Sequence, residues 1–208
     1  MGTAQASPPA SARRWKRWAS GALAVVLGIA LGLGSAWWAI RGWSLAGPVH
    51  TGAWSTSTMS GHVDADMYTR ARVAVGGLLA LSRDETMYYV ARADDSGAPL
   101  RADCRYRIEG APPPARWWSI TAYAGDLFLF PNAIGRYSVN GSTARLGENG
   151  RFAVVTGPAQ PEGGDFWLPT PKSGSLVLTF RLYNPEPEIV STPASLAAPS
   201  IIRIGACA

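Results

Sequence analysis

Histidine is scarce in this sequence, where only His50 and His62 occur. Established catalytic motifs are absent too: there is no G-x-S-x-G nucleophile elbow, no H-E-x-x-H zinc helix and no glycine-rich phosphate loop. A hydrolase needs a nucleophile with a base within reach. Because both histidines fall in a segment with the composition of a linker, the folded part of the chain is a poor candidate for a Ser-His-acid triad.

Acidic residues are missing from residues 1–41, which hold five basic side chains, namely Arg13, Arg14, Lys16, Arg17 and Arg41. The whole chain has 19 basic and 14 acidic side chains and a formal net charge of +5. The N-terminal segment therefore carries the entire excess, and the rest of the chain is neutral. A neutral domain is not expected to bind a polyanion, so we predict no nucleic-acid partner.

Charged residues are also missing from the apolar run between Arg17 and Arg41. A helix of about 20 apolar residues crosses the hydrocarbon core of a bilayer, and a positive flank stays in the cytoplasm. We therefore predict a cytoplasmic basic tail (residues 1–18) and a single-pass signal-anchor helix in the bacterial inner membrane (residues 19–41). The remainder would lie in the periplasm. A cleaved signal peptide is the alternative, because Gly34-Ser35-Ala36 and Ser44-Leu45-Ala46 offer small residues to a peptidase.

Cysteine occurs twice, as Cys104 and Cys207, without histidine nearby. This makes a zinc site unlikely to form, and we expect no metal and no cofactor. Exported thiols enter an oxidising compartment, so we predict a disulfide with Cα atoms roughly 4.4–6.8 Å apart. Such a bridge would hold the proline-rich C-terminus against the sheet. The alternative is two separate reduced cysteines.

Alternating apolar residues place the folded part in the mainly β class. Trp117–Tyr123 puts Trp118 on one face of a strand, and Leu176–Tyr183 is the most regular strand pattern in the chain. Residues 42–62, rich in Ser, Thr and Gly, are interpreted as a juxtamembrane linker, and residues 63–208 as a periplasmic β-sandwich. A helix capped by Asp64 or Asp66 is predicted to open this domain. Its predicted buried face consists of Met67, Ala71, Val75, Leu78 and Leu79.

Several phrases in this region, ARWWSITAY, FLFPNAIGRYSVNG and FWLPTPKSGSLVLTFRLYNP, occur in one order and are followed by a final Ile-Arg-Ile. Together they resemble the bacterial domain-of-unknown-function family 1214, in a short subgroup where a membrane segment replaces a preceding domain. The resemblance runs from about Asp64 to the C-terminus. It implies a jelly-roll-like antiparallel β-sandwich and no established activity.

Several residues with polar groups are surrounded by apolar residues in the sequence. These are the candidate ligand-binding residues, namely Arg136, Tyr137, Trp167, Lys172, Arg181 and Tyr183. Strand alternation puts Arg181 and Tyr183 on one sheet face, where an Arg-Tyr-Trp cluster would suit an anionic or sugar-like ligand. The alternative is that Arg181 only donates hydrogen bonds to carbonyls of the 157–171 loop.

We expect a non-enzymatic module of the cell envelope that binds a ligand or an envelope protein. The alternative is an envelope enzyme that acts on a small anionic or sugar-like molecule without histidine or metal. A deep pocket lined by Arg181, Tyr183 and Trp167 would favour the enzyme, whereas a flat apolar patch would favour a protein partner.

Overall fold

Helix α1 (Ala10–Gly42) runs through the basic cluster and the apolar segment without a break. The computed structural model describes residues 10–42, 47–75 and 81–207. It divides the chain into two compact units, Met1–Ser44 and Leu45–Ala208. Within the described residues, Arg17–Arg41 is the one helical stretch long and apolar enough to cross a membrane. The helix begins at Ala10, inside the segment predicted as the tail, since no proline or glycine interrupts residues 10–20.

The second unit is a β-sandwich of two sheets, which confirms the predicted fold class. Its strands in the described residues are β1 (Val49–Thr51), β2 (Trp54–Thr56), β3 (Thr86–Ala91), β4 (Tyr106–Gly110), β5 (Ala115–Ala124), β6 (Ser138–Asn140), β7 (Phe152–Gly157), β8 (Phe166–Pro169), β9 (Leu176–Pro185) and β10 (Ser200–Arg203). The larger sheet has the order β1-β2-β3-β9-β5-β6, and the smaller has the order β10-β4-β7-β8.

Strands β5 and β9 form the centre of the larger sheet and pair antiparallel over most of their length. The predicted alternation holds on both strands: Trp118 and Ile120 of β5 are buried opposite Leu182 and Phe180 of β9. The Trp118 ring stacks on Phe152 of the smaller sheet at a centroid distance of 4.5 Å. Large aromatic side chains therefore join the two sheets across the core.

The smaller sheet contains a parallel pair that the sequence did not predict. After β7, the chain passes through a Gly/Pro-rich loop and returns to lay β8 alongside β7 in the same direction. Residues 157–171 were expected to form a loop, yet Leu168 within them is fully buried. A four-residue strand inside a loop with so many glycines and prolines leaves too short a pattern to be recognised.

The segment predicted as a linker differs from the prediction. Strands β1 and β2 form a hairpin within residues 42–62, and β2 pairs with β3 at the edge of the larger sheet. Trp54 is fully buried, lies 5.6 Å from the Phe180 ring and donates a hydrogen bond from Nε1 to the Pro199 carbonyl. Three-residue strands among Ser, Thr and Gly show almost no periodicity, so the sequence pattern did not predict this hairpin. Trp54 is the residue that could have indicated a buried strand here.

Helix α2 (Met67–Val75) is capped by Asp66, whose Oδ1 accepts hydrogen bonds from the backbone amides of Tyr68 and Thr69. The predicted buried face is wrong in its described part, because Met67 and Val75 are each 75% exposed and Thr69 is the buried residue of the helix. The other predicted face residues, Leu78 and Leu79, lie outside the described residues.

The proline-rich C-terminal segment contains short helical turns. Helix α3 (Pro187–Ser191) and a 3₁₀ turn (Pro193–Ser195) each begin with a proline. Proline suits the first helical position because its fixed φ fits the helix and its missing N–H would have no partner there. The chain then forms β10 against β4.

The predicted disulfide joins Cys104 to Cys207 across 103 residues of sequence. The two Cα atoms are 4.0 Å apart, somewhat closer than predicted. Cys104 is buried in the core, and Cys207 packs against the core cluster. The bridge therefore fastens the residues after β10 to the body of the sandwich.

Candidate functional site

Arg181 lies in β9, near the middle of the outward face of the larger sheet. Its guanidinium donates hydrogen bonds from Nη1 to Thr121 Oγ1 at 3.1 Å and from Nη2 to Tyr123 Oη at 2.8 Å. Its direct cross-strand neighbours are Tyr88 on β3 and Ser119 on β5. Strand pairing thus gathers residues from three separate parts of the sequence around one cation.

Two tyrosine rings flank this guanidinium. Cζ of Arg181 lies 5.7 Å from the ring centroid of Tyr88 and 5.5 Å from that of Tyr123, within the range of a cation–π contact. Burial raises the pKa of Tyr88, and the charge of Arg181 offsets part of that rise. The two tyrosines place their ring faces beside the cation.

Arg181 has no carboxylate to balance its charge. None of the six strands of the larger sheet contains Asp or Glu, and Arg181 makes no ion pair within the part of the chain that the structure describes. Two of its five N–H groups bond to neutral hydroxyls. A partly exposed guanidinium with spare donors and no acid nearby is suited to an anion supplied from solution.

An aromatic pair borders the Arg181 cluster along the strands. Trp117 of β5 and Tyr183 of β9 face each other in register with their ring centroids 5.1 Å apart. Trp117 is 37% exposed, so part of its ring is open to solvent. Together with Arg181, Tyr88 and Tyr123, this pair forms a surface that we name the Arg181 face.

The other predicted ligand-binding residues do not join this face. Arg136 donates a hydrogen bond to the Trp167 carbonyl at 3.1 Å and lies over the Phe166 ring, and Trp167 itself bonds from Nε1 to the Gly157 carbonyl at 2.9 Å. The arginine that holds the 157–171 loop is therefore Arg136 rather than Arg181. Tyr137 is 37% exposed beside β6, and Lys172 is exposed between β8 and β9.

Sequence reasoning missed Tyr88, Thr121 and Tyr123 as members of the cluster. The alternation of β5 does place Thr121 and Tyr123 on the face opposite Trp118. Recognising their contact with Arg181 also requires the strand order β3-β9-β5. That order joins strands about 90 residues apart in sequence, and no local pattern encodes it.

A second polar group lies on the smaller sheet, around a cavity of about 550 Å³. Arg107 pairs with Asp165 at 2.7 Å and with Glu109 at 3.3 Å, and Arg151 also reaches Glu109 at 3.4 Å. Hydrogen bonds from Arg107 and then Arg151 lower the pKa of Glu109. Glu109 and Asp165 therefore each have a cationic partner, and this network holds the 158–165 loop.

Metal binding has no visible basis in the described ranges, where no three or more His, Cys, Asp and Glu side chains are grouped to hold an ion. The Arg181 face offers hydrogen-bond donation, cation–anion contact and aromatic stacking.

The fold and the Arg181 face together define a mainly β sandwich with a cationic, aromatic outward surface. The chain also contains an apolar N-terminal helix. Residues 85–187 match the sequence model of a family described as proteins of unknown function, DUF1214. The chain belongs to this family, which confirms the resemblance seen in its sequence phrases. No functionally curated protein matches the sequence.

Two solved bacterial structures resemble this chain. The VPA0106 protein from Vibrio parahaemolyticus is 22% identical with a TM-score of 0.56, and the similarity covers 68% of this chain and 36% of that protein. A putative uncharacterised protein from Burkholderia cenocepacia is 17% identical with a TM-score of 0.44, covering 57% of this chain and 29% of that protein. The chain thus spans about a third of the length of these structures, and the first likeness supports the fold alone.

Proposed function

We propose that the β-sandwich is a non-enzymatic module of the cell envelope that binds a small anionic, sugar-like molecule on the Arg181 face. One observation carries this proposal: Arg181 lies among the strands of a sheet that contain no acidic residue. A carboxylate on the ligand would supply the missing counter-charge and form two parallel hydrogen bonds with the guanidinium.

The rings around Arg181 support the sugar-like part of the assignment. Tyr88, Tyr123 and the Trp117–Tyr183 pair border the cation. Aromatic side chains bury large apolar surfaces at little cost in conformational entropy. A sugar ring that carries a carboxylate would pack against one of them while its charge contacts Arg181.

Calorimetric titration of the full-length protein in detergent with glucuronate and glucose tests this assignment. We expect glucuronate to bind and glucose to bind at least tenfold more weakly, since a charge-assisted hydrogen bond contributes about 1.5–3 kcal/mol. Arg181→Gln should reduce glucuronate binding to the level of glucose. Arg92→Gln, which removes an exposed arginine just beyond β3, is the matched control and should bind like the wild type. Equal affinity for the two sugars, or no effect of Arg181→Gln, would contradict the proposal.

We further propose that α1 holds this module to the bacterial inner membrane, with its N-terminus in the cytoplasm and the β-sandwich in the periplasm. The charge asymmetry around Arg17–Arg41 supports this orientation. An alkaline phosphatase fused to the C-terminus should be active, because that enzyme requires export. A fluorescent C-terminal green fluorescent protein fusion together with an inactive phosphatase fusion would reverse the assignment.

A further inference from the structure

A small cavity of about 220 Å³ lies outside strands β2 and β3 of the larger sheet. Its polar lining residues are Ser55, Thr56, Ser57, Ser60, Arg83, Thr86 and Tyr88. Tyr88 also faces Arg181, so the cavity adjoins the Arg181 face while having a separate set of donors. Binding at this cavity does not depend on the ligand proposed for Arg181.

Two buried donors at this cavity have no hydrogen-bond partner. Nε of Arg83 and Oγ1 of Thr86 are both unsatisfied within the described residues, and Thr86 is only 2% exposed. The other two nitrogens of Arg83 donate to the carbonyls of Thr58 and Val190. Buried polar groups in folded proteins almost always have partners, so two such donors on one cavity indicate a group that is bound there.

The lining restricts the chemistry of that group. Arginine N–H groups donate and never accept, so the partner of Nε must be an acceptor. No acidic residue lines the cavity, and Arg83 makes no ion pair within the described part of the chain. The serines add hydroxyls: Ser57 Oγ already accepts from the Met59 amide at 3.3 Å, which leaves its proton free to be donated.

We infer that this cavity binds a small oxyanion, a carboxylate or a phosphate, held by Arg83 Nε and the Thr86 hydroxyl. The volume of 220 Å³ admits a group of few atoms and is below the size of ordinary ligand pockets, about 300–1,000 Å³. An oxyanion would satisfy both buried donors with one group and would balance the charge of Arg83.

The chain offers a matched pair of variants for the test. Thr86→Val keeps the shape of the side chain and removes a hydroxyl that makes no hydrogen bond to any residue the structure describes. Thr156→Val makes the same change at the other buried threonine without a partner, on β7 in the smaller sheet. Both variants should fold, because neither loses an internal hydrogen bond.

Calorimetric titration with inorganic phosphate and with acetate, each at constant ionic strength, measures the binding. The full-length protein carries Arg181→Gln in every sample, so that anions bound on the Arg181 face are not counted. We expect one of the two anions to bind in the parent protein and in Thr156→Val with the same Kd. Thr86→Val should raise that Kd roughly tenfold, the effect of losing one hydrogen bond to a charged group.

The outcomes distinguish a phosphate from a carboxylate ligand. They also distinguish a failure of this inference from a failure of the function proposed above. Tighter binding of phosphate assigns a phosphate group, and tighter binding of acetate assigns a carboxylate. No binding of either anion at millimolar concentration would overturn the inference and leave water as the partner of both donors. An equal Kd in Thr86→Val would also overturn it, since general anion effects on protein surfaces do not depend on one buried hydroxyl. Because Arg181 is removed throughout, these results stand apart from the function proposed above.

Discussion

Trp117 and Trp118 are sequence neighbours that the pleat of β5 sends to opposite faces of the larger sheet. Trp118 is 4% exposed and touches Phe152 and Phe180, whereas Trp117 is 37% exposed. We expect Trp118→Ala to lower the free energy of unfolding by about 3–5 kcal/mol, because it opens a cavity between the sheets. Trp117→Ala should cost far less. Urea denaturation that ranks the two variants in the opposite order would contradict the register of β5.

Asp103 gives a prediction about acid stability. Its carboxylate is 4% exposed and accepts a hydrogen bond from Arg101 Nε at 2.9 Å, and this bond holds the pKa of Asp103 below its ordinary value. A lowered pKa stabilises the fold above the unfolded-state pKa of about 4, and this contribution is lost as the pH falls through the folded-state pKa. We therefore expect the stability of the wild type to fall steeply in acid.

Asp103→Asn should flatten that acid-dependent decline, because asparagine does not titrate. The variant should be less stable than the wild type at pH 7, and the two denaturation midpoints should converge as the pH falls through the lowered folded-state pKa of Asp103. Arg101→Gln should reproduce the flattening, since it removes the cause of the lowered pKa. Parallel pH profiles for the wild type and both variants would show that the pair contributes nothing to stability.

At the scale of elements, the two longest strands were predicted from the sequence, whereas three of the short strands were not. Strands β5 and β9 each have ten residues, and their alternation identified the core side correctly. Strands β1, β2 and β8 have three or four residues and lie among Gly, Pro, Ser and Thr. Their pairing depends on tertiary contacts such as the hydrogen bond from Trp54 to Pro199, which no local pattern reveals.

The β1–β2 hairpin is expected to be necessary for cooperative folding of the sandwich. A fragment that starts at residue 47 should unfold cooperatively, whereas one that starts at residue 63, the domain boundary expected from the sequence, should not. The shorter fragment loses Trp54 from the core and exposes the edge of β3, and unpaired edges promote association. Thermal unfolding of the two fragments measures the difference. Equal, cooperative melting of both would show that the hairpin is dispensable.

At the scale of the molecule, the sequence predicted the kinds of residue in the candidate site better than their arrangement. Arg181 and Tyr183 do share a face, as the alternation of β9 required. Arg136 and Trp167 instead hold a loop by backbone hydrogen bonds. Alternation assigns a residue to a side of its own strand, but which strands become neighbours is decided by packing across the whole chain.

The disulfide is the other feature that acts on the whole molecule. It links Cys104, just before β4, to Cys207, which follows β10. Chain ends fray unless they are tied down, and β10 is a four-residue edge strand. The chain-entropy treatment of cross-links gives about 4–5 kcal/mol for a closed loop of this length. We therefore expect Cys207→Ala to lower the denaturation midpoint and to loosen β10 first.

Hydrogen exchange and denaturation in the presence and absence of reductant measure this effect. Reductant should bring the oxidised wild type down to the stability of Cys207→Ala, and it should not change the variant, which has no bridge to lose. Faster exchange should begin at the amides of β10 and β4, because their ladder is the part that the bridge holds in place. Two free thiols in protein denatured without reductant would contradict the bridge, and an unchanged midpoint after reduction would show that β10 is held by its packing alone.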